Sequence, residues 1–162
     1  MSDGVFDLLE CHTKLTFNCS NKSLNDFFYN TAYFKHIKSL SKTTVLLKND
    51  QLIGFFSLGL INILVDQDTS PCIYLEAIAV QANLEKQSLG TSLVQYIISI
   101  AREVAGKVAV CGIYLDAEET VVSWYKRFGF IELDDIVSDN PATRPMFLDI
   151  RDTRLLDEYF EG

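Results

Sequence analysis

The stretch Tyr74-Leu75-Glu76-Ala77-Ile78-Ala79-Val80, followed ten residues on by Gly90, decides how this chain is read. The first seven residues form a strand-like apolar run. After a short polar turn, Leu93, Val94, Ile97, Ile100, Ala101 and Val104 recur at helical spacing over residues 90–105. A strand, a turn and a helix opening at glycine make an anion-binding layout, because the first backbone N–H groups of a helix lack internal partners and its dipole favours negative charge there. Further on, Trp124-Tyr125-Lys126-Arg127-Phe128-Gly129-Phe130 places a tyrosine on a short helix, with glycine where a left-handed terminating residue is wanted.

Composition sets the outer bounds. With 162 residues and 48% apolar content, one domain with a sizeable core is expected. The net charge of −8 lacks the basic surplus by which a nucleic-acid groove advertises itself. Cys11, Cys19, Cys72 and Cys111 form no CxxC pair and no spacing with histidine, which argues against a disulfide framework or a metal site. The first residues have neither the basic start nor the apolar middle of a signal peptide. The longest apolar run, residues 52–65, is too short for a membrane span and reads as a buried strand. A soluble, reduced, cytoplasmic protein is expected.

The remaining elements follow from pattern. Residues 5–9 predict a first strand. Ser23-Leu24-Asn25-Asp26 offers a capping signal for a helix whose stripe is Leu24, Phe27, Phe28, Ala32 and Ile37. Strands 43–48 and 52–61 flank Asn49-Asp50-Gln51 as a hairpin, and residues 66–71 read as a polar loop. Strand 73–80 and helix 90–105 come next. Strand 108–115, buried on both faces, precedes a helix over 118–127 and a strand over 130–133. An acidic loop over 134–141, a strand over 146–150 and a helix over 152–159 complete the chain. This order predicts an α+β (α/β three-layer) domain around a mixed sheet.

The two opening blocks together resemble the GNAT superfamily, the acetyl-CoA-dependent N-acetyltransferases. The resemblance implies a mixed, mostly antiparallel central sheet with helices on both faces and a V-shaped split between the strands ending near Val80 and Leu115. It implies one acetyltransferase domain over residues 1–162, with 151–162 as a short helical extension. It also implies acetyl-CoA as co-substrate, with no metal. The backbone of Ile78, Ala79 and Val80 would follow the pantetheine arm. The family loop Q/R-x-x-G-x-G/A, whose amides cradle the pyrophosphate, here reads Glu85-Lys86-Gln87-Ser88-Leu89-Gly90, with Thr91 following. Glu85 stands where Gln or Arg is expected, and Ser88 replaces the first glycine. A carboxylate beside a diphosphate is unfavourable on Coulomb grounds, and Lys86 offers compensating charge. The shifted register Gln87-x-x-Gly90-x-Ser92 keeps the glutamine but breaks the spacing from Val80.

The family pattern Y-x-x-x-G-F is matched from Tyr125 to Phe130. In the family its tyrosine gives a proton to the departing coenzyme A thiolate, a role open to a phenol near pKa 10. The plain alternative is packing with Trp124 and Phe128. Seven residues upstream, Glu118 replaces an asparagine frequent in the family. Glu76, on a strand resembling that of spermidine/spermine acetyltransferases, has two open readings: a base for the incoming amine, directly or through water, or a partner in a structural salt bridge.

Within the superfamily, Phe17-Asn18-Cys19-Ser20-Asn21-Lys22-Ser23-Leu24-Asn25-Asp26-Phe27-Phe28 and Gly54-Phe55-Phe56-Ser57-Leu58 resemble the toxin-type acetyltransferases. Direct acetyl transfer to a primary amine of a small molecule or peptide is the first expectation, since an acidic surface attracts cations. Toxin-like acetylation of aminoacyl-tRNA, with an antitoxin-type protein partner, is the second. A catalytically weak binding or regulatory module is the third. The best basic cluster is Lys35, His36, Lys38 and Lys42, a reading equally met by a solvated helix face; His36 and His12 read as surface residues. No membrane contact is expected, and either a monomer or a homodimer fits.

Overall fold

The hairpin that frames the sheet closes on Asn49 and Asp50, both with positive φ (53° and 58°). Such a pair suits a two-residue turn whose twist matches that of the flanking strands. In this computed structural model, which describes residues 4–8, 16–65, 67–85, 88–133 and 141–161, the turn joins β2 (Lys42–Lys48) to β3 (Gln51–Val65). Before them lie β1 (Gly4–Asp7), α1 (Lys22–Asn30) and α2 (Ala32–Ile37). After them come β4 (Asp68–Val80), a 3-10 turn at Ala82–Leu84 and α3 (Leu89–Ala105). The chain continues through β5 (Gly112–Glu118), a 3-10 turn at Glu119–Val121, α4 (Val122–Lys126), β6 (Ile131–Glu132), β7 (Thr143–Asp149) and α5 (Thr153–Glu161). The hydrogen-bonded strand order is β1-β2-β3-β4-β5-β7-β6, a mixed, mostly antiparallel sheet as expected.

The chain divides into two compact units, one of Met1–Leu60 with Tyr74–Ile97, the other of Ile61–Ile73 with Ile98–Gly162. In the first, β1 and β3 pair antiparallel with either side of β2. Alternate residues Thr43, Val45 and Leu47 of β2 point into its core. There Phe17, Phe28 and Phe55 meet with ring centroids 5.0 to 5.6 Å apart, beside Ala32, Leu52, Ala77 and Ala79. Burying each phenylalanine is worth about 1.5–3 kcal/mol.

In the second unit β5 and β6 both pair antiparallel with β7. Residues Gly112 to Leu115 of β5 are all buried, consistent with a strand covered on both faces. Gly112 is obligatory for this pairing: a Cβ there would collide with the Leu148 carbonyl and the Phe147 ring. Gly129, at φ +100°, ends the turn after α4.

Several expectations need correction. The first helix is two helices broken at Thr31, and its N-cap is Asn21, whose Oδ1 accepts the Leu24 N–H at 3.2 Å, rather than Ser23. The break turns Ile37 outward (53% exposed) and buries His36 in its place. Most of the expected loop over 66–71 is strand, since Thr69, Ser70 and Pro71 extend β4; their polarity reflects partial exposure. Pro71 contributes no donor, but its carbonyl accepts the Cys111 N–H at 2.9 Å. The run over 52–65 is a strand that loses burial toward its end, with Leu60 and Leu64 about two-thirds exposed. Val108 belongs to the exit from α3, bonding Val104, and β5 starts only at Gly112. The acidic loop lies largely outside the described residues, as do Cys11 and His12.

Candidate active site

In β4, Leu75, Ala77 and Ala79 are buried while Tyr74, Glu76 and Ile78 on the alternate face are half-buried. Glu76 therefore projects from the less covered side, where its Oε1 meets Lys35 Nζ of α2 in a short ion pair. Among the described residues Oε2 has no hydrogen-bond partner. The ion pair that one reading expected is present, and it leaves half of the carboxylate open.

The strand exits through Gln81, whose N–H bonds the Ile53 carbonyl at 2.9 Å. Its side chain joins β3 to the segment before α1: Oε1 accepts the Asn18 N–H at 3.0 Å, and Nε2 donates to the carbonyls of Leu52 at 2.8 Å and Thr16 at 3.2 Å. Glu85 follows the 3-10 turn. Its Oε1 accepts the Ser20 N–H at 2.7 Å and its Oε2 the Ser20 hydroxyl at 2.8 Å. The sequence assigned no contact to Gln81 or Ser20, since bonds spanning 29 to 65 positions leave no periodic trace.

Ser88 stands directly before α3 with φ +61°, in the left-handed region that favours glycine. A glycine would hold this angle without strain. The helix's own bonding begins with Ser92 N–H to Ser88 carbonyl at 3.1 Å, leaving the amides of Leu89, Gly90 and Thr91 in the unpaired first turn. No acidic residue lies in that turn, so its positive dipole end is not neutralised from within the helix. A donor set of this kind suits a diphosphate. Lys86 and Gln87 lie outside the described residues. Upstream, Gly54 lets the elements close up: a Cβ there would lie 3.0 Å from the Ala79 carbonyl and 3.3 Å from Leu93 Cδ1. A polar recess of about 320 Å³ opens near Gln81, Asp50 and Asn83, but neither Glu76 nor the start of α3 lines it.

In the second unit, Tyr125 is 6% exposed, its ring 4.9 Å from Trp124 and 5.6 Å from Phe130. Trp124 in turn sits 5.2 Å from Phe128. Burial pushes the Tyr125 phenol well above its ordinary pKa, because the phenolate would lose its water. Its hydroxyl has no hydrogen-bond partner among the described residues. Glu118 ends β5.

The basic cluster is dispersed. Lys35 is held by Glu76, Lys38 lies 5.0 Å over the Phe34 ring, and Lys42 donates to the His36 carbonyl at 3.3 Å. His36 is fully buried, not on the surface: it follows the break at Thr31, its Nδ1 accepts the Thr43 N–H, and its Nε2 lies 2.7 Å from Asp7 Oδ1. Among the described residues no three His, Cys, Asp or Glu gather as for a metal, and no helix is long and apolar enough to cross a membrane.

The profile of the Acetyltransferase (GNAT) family matches residues 7–130. The chain belongs to that family. It is an acetyl-CoA-dependent acetyltransferase. Among solved structures, the GNAT chain is similar to AtaTR bound with AcCoA, with 22% identity, a TM-score of 0.76, and coverage of 96% of this chain and 98% of that one. It is similar also to AtaT complexed with acetyl-methionyl-tRNAfMet, at 20% identity and a TM-score of 0.79, covering 96% and 99% of the two chains. The KacTA-DNA complex matches at 20% identity and a TM-score of 0.76, over 99% of each chain. At these identities the likeness concerns the fold alone.

Proposed function

We propose that residues 1–162 act as one acetyltransferase domain that moves the acetyl group of acetyl-CoA directly onto a primary amine. β3, β4 and α3 each contribute to both units, which favours one domain over two. Acetyl-CoA supplies an activated thioester. In this reading the backbone of Ile78, Ala79 and Val80 lies along the pantetheine arm. The loop Glu85-Lys86-Gln87-Ser88 leads into the amides of Ser88, Leu89, Gly90 and Thr91, which hold the diphosphate. The observation that carries the reading is Ser88 at φ +61° before a helix whose first turn has no acid. Serine stands here in a backbone state that glycine favours, at the turn where the helix amides open, which disfavours a degraded binding module.

Two side chains handle protons. Tyr125, kept neutral by burial, gives its proton to the departing thiolate. Glu76 holds Lys35 through Oε1 and receives the amine's proton at Oε2, directly or through water. An N–H of β4 at Ala79 or Val80 polarises the thioester carbonyl.

The acceptor is a small-molecule or peptide amine. Net charge of −8 and the engagement of Lys35, Lys38 and Lys42 within the fold favour a cationic acceptor over a polyphosphate one. A second reading, acetylation of aminoacyl-tRNA with an antitoxin-type protein partner, draws on the end-to-end fold match to AtaT complexed with acetyl-methionyl-tRNAfMet and to AtaT bound to the C-terminus of the antitoxin AtaR. Both are tested by one assay: acetyl transfer from acetyl-CoA to a panel of polyamines, amino-terminal peptides and charged tRNA, with Tyr125→Phe as control. Turnover on amines alone supports the first reading and turnover on charged tRNA alone the second. Binding of acetyl-CoA without turnover on any acceptor leaves the regulatory module.

A further inference from the structure

We infer that Glu85 is a positioning residue for the acetyl-CoA diphosphate loop and acts through Ser20, so that residues 16–20 belong to the machinery that holds acetyl-CoA. This rests on the reading of Ser88 to Thr91 as the diphosphate cradle.

At the position where the family pattern has a donor side chain, this chain has an acid. A carboxylate left facing a diphosphate would oppose binding. Both oxygens of Glu85 are instead taken: Oε1 by the Ser20 N–H at 2.7 Å and Oε2 by the Ser20 hydroxyl at 2.8 Å. Bonds to an ionised acceptor are stronger than neutral ones, and a two-point contact fixes direction as well as distance. Gln81, four residues earlier, is bound to the same segment at Asn18 and Thr16, and the Ala82 N–H bonds the Asn18 carbonyl at 2.9 Å. Ser20 is held in turn: the Cys19 N–H beside it donates to Asn25 Oδ1 at 2.8 Å, and Asn21 caps α1.

The physical consequence is reach. Glu85 and Ser88 are separated by two residues, and Ser88 carries a strained backbone angle that its surroundings must impose. Fixing Glu85 against Ser20 removes freedom from the approach to α3 before any ligand arrives, and pre-paid ordering appears as affinity. The loss of a side-chain donor to the ligand is thereby offset by an anchor at Glu85, three positions before the cradle.

The test measures dissociation constants of acetyl-CoA, ADP and S-acetylpantetheine for the whole protein and for Ser20→Ala, Glu85→Ala and Glu85→Gln. Ser20→Ala and Glu85→Ala are expected to weaken acetyl-CoA and ADP by about 5- to 20-fold, the scale of one or two lost hydrogen bonds, and to leave S-acetylpantetheine unchanged. Glu85→Gln, which keeps an acceptor for the Ser20 N–H, is expected to recover part of the loss. A merely structural role would weaken all three ligands alike, with a falling Tm, and would overturn the inference. Tighter binding in Glu85→Ala and Glu85→Gln would also overturn it, as would unchanged constants throughout. Failure of the unaltered protein to bind acetyl-CoA would instead reject the cradle reading itself.

Discussion

The Nε2 of His36 lies 2.7 Å from Asp7 Oδ1, while the opposite ring nitrogen, Nδ1, accepts the Thr43 N–H at 2.9 Å. An Nδ1 that accepts places the ring proton on Nε2, which lies beside the carboxylate without hydrogen-bond geometry to it. One imidazole thus ties α2 to β2 inside the first unit and sets its second nitrogen beside Asp7 of β1. His36→Leu leaves the Thr43 amide without a partner in a buried place. We expect it to cost about 2–4 kcal/mol in urea unfolding, and Asp7→Asn, at a half-exposed partner, under about 1 kcal/mol.

Tyr125→Phe is expected to lower kcat by about 100-fold with an unchanged dissociation constant for acetyl-CoA, the mark of a lost general acid. Burial also gives Tyr125 an alkaline signature. The unfolded phenol ionises near pH 10, whereas the folded one stays neutral to higher pH. Its contribution to stability is therefore complete below about pH 10 and is lost as pH rises from there toward the folded value. Chemical denaturation at pH 9 and pH 11 should show a smaller drop for Tyr125→Phe than for the unaltered protein.

Glu76→Gln keeps the shape but cannot take a proton, and should lower kcat by about 10- to 100-fold at constant acetyl-CoA affinity. Because Lys35 is also a partner, Glu76→Gln and Lys35→Met should couple in a double-mutant stability cycle. For a pair that is partly exposed, about 1 kcal/mol of coupling is expected. Lost stability with intact turnover would assign Glu76 to structure alone.

Two glycines should respond unequally to alanine. Gly112→Ala meets the Leu148 carbonyl and the Phe147 ring with no room to yield, and should cost more than about 3 kcal/mol or prevent folding. Gly54→Ala meets Ala79 oxygen at 3.0 Å and a movable Leu93 methyl at 3.3 Å. About 1–2 kcal/mol is expected there, read by thermal unfolding.

Ser88→Gly removes the left-handed strain but adds freedom to the unfolded chain, two effects of similar size. Stability should change by less than about 1 kcal/mol, while Ser88→Val, with a branched Cβ at φ +61°, should lose about 1–2 kcal/mol and weaken acetyl-CoA binding. Differential scanning fluorimetry with and without acetyl-CoA reads both.

Periodicity made most of the fold legible. The α3 stripe at Leu93, Val94, Ile97 and Ala101 is buried as its spacing requires, and the Asn49-Asp50 turn sits where two strand patterns meet. The misses share one cause, namely that solvent exposure and strand pairing are not local. Thr69 and Ser70 look like loop residues, yet they extend β4. His36 looks like a surface residue until the break at Thr31 rotates it inward. Of the candidate site, Tyr125 and the approach to Gly90 were proposed from the sequence because their patterns are written at short spacing. The contacts of Glu85 with Ser20, Gln81 with Asn18 and Glu76 with Lys35 were not, since each joins segments 41 to 65 positions apart.

The left-handed serine before α3 separates a motif's spelling from its shape. The first glycine of the pattern is absent here, yet the backbone angle that glycine favours is present. A search keyed to a single positive φ immediately before a helix free of early acids would find this chain. The same shape is open to asparagine and aspartate, which visit that region most readily after glycine. Acetyltransferases dismissed for an imperfect glycine pattern are thus best sorted again by backbone angle.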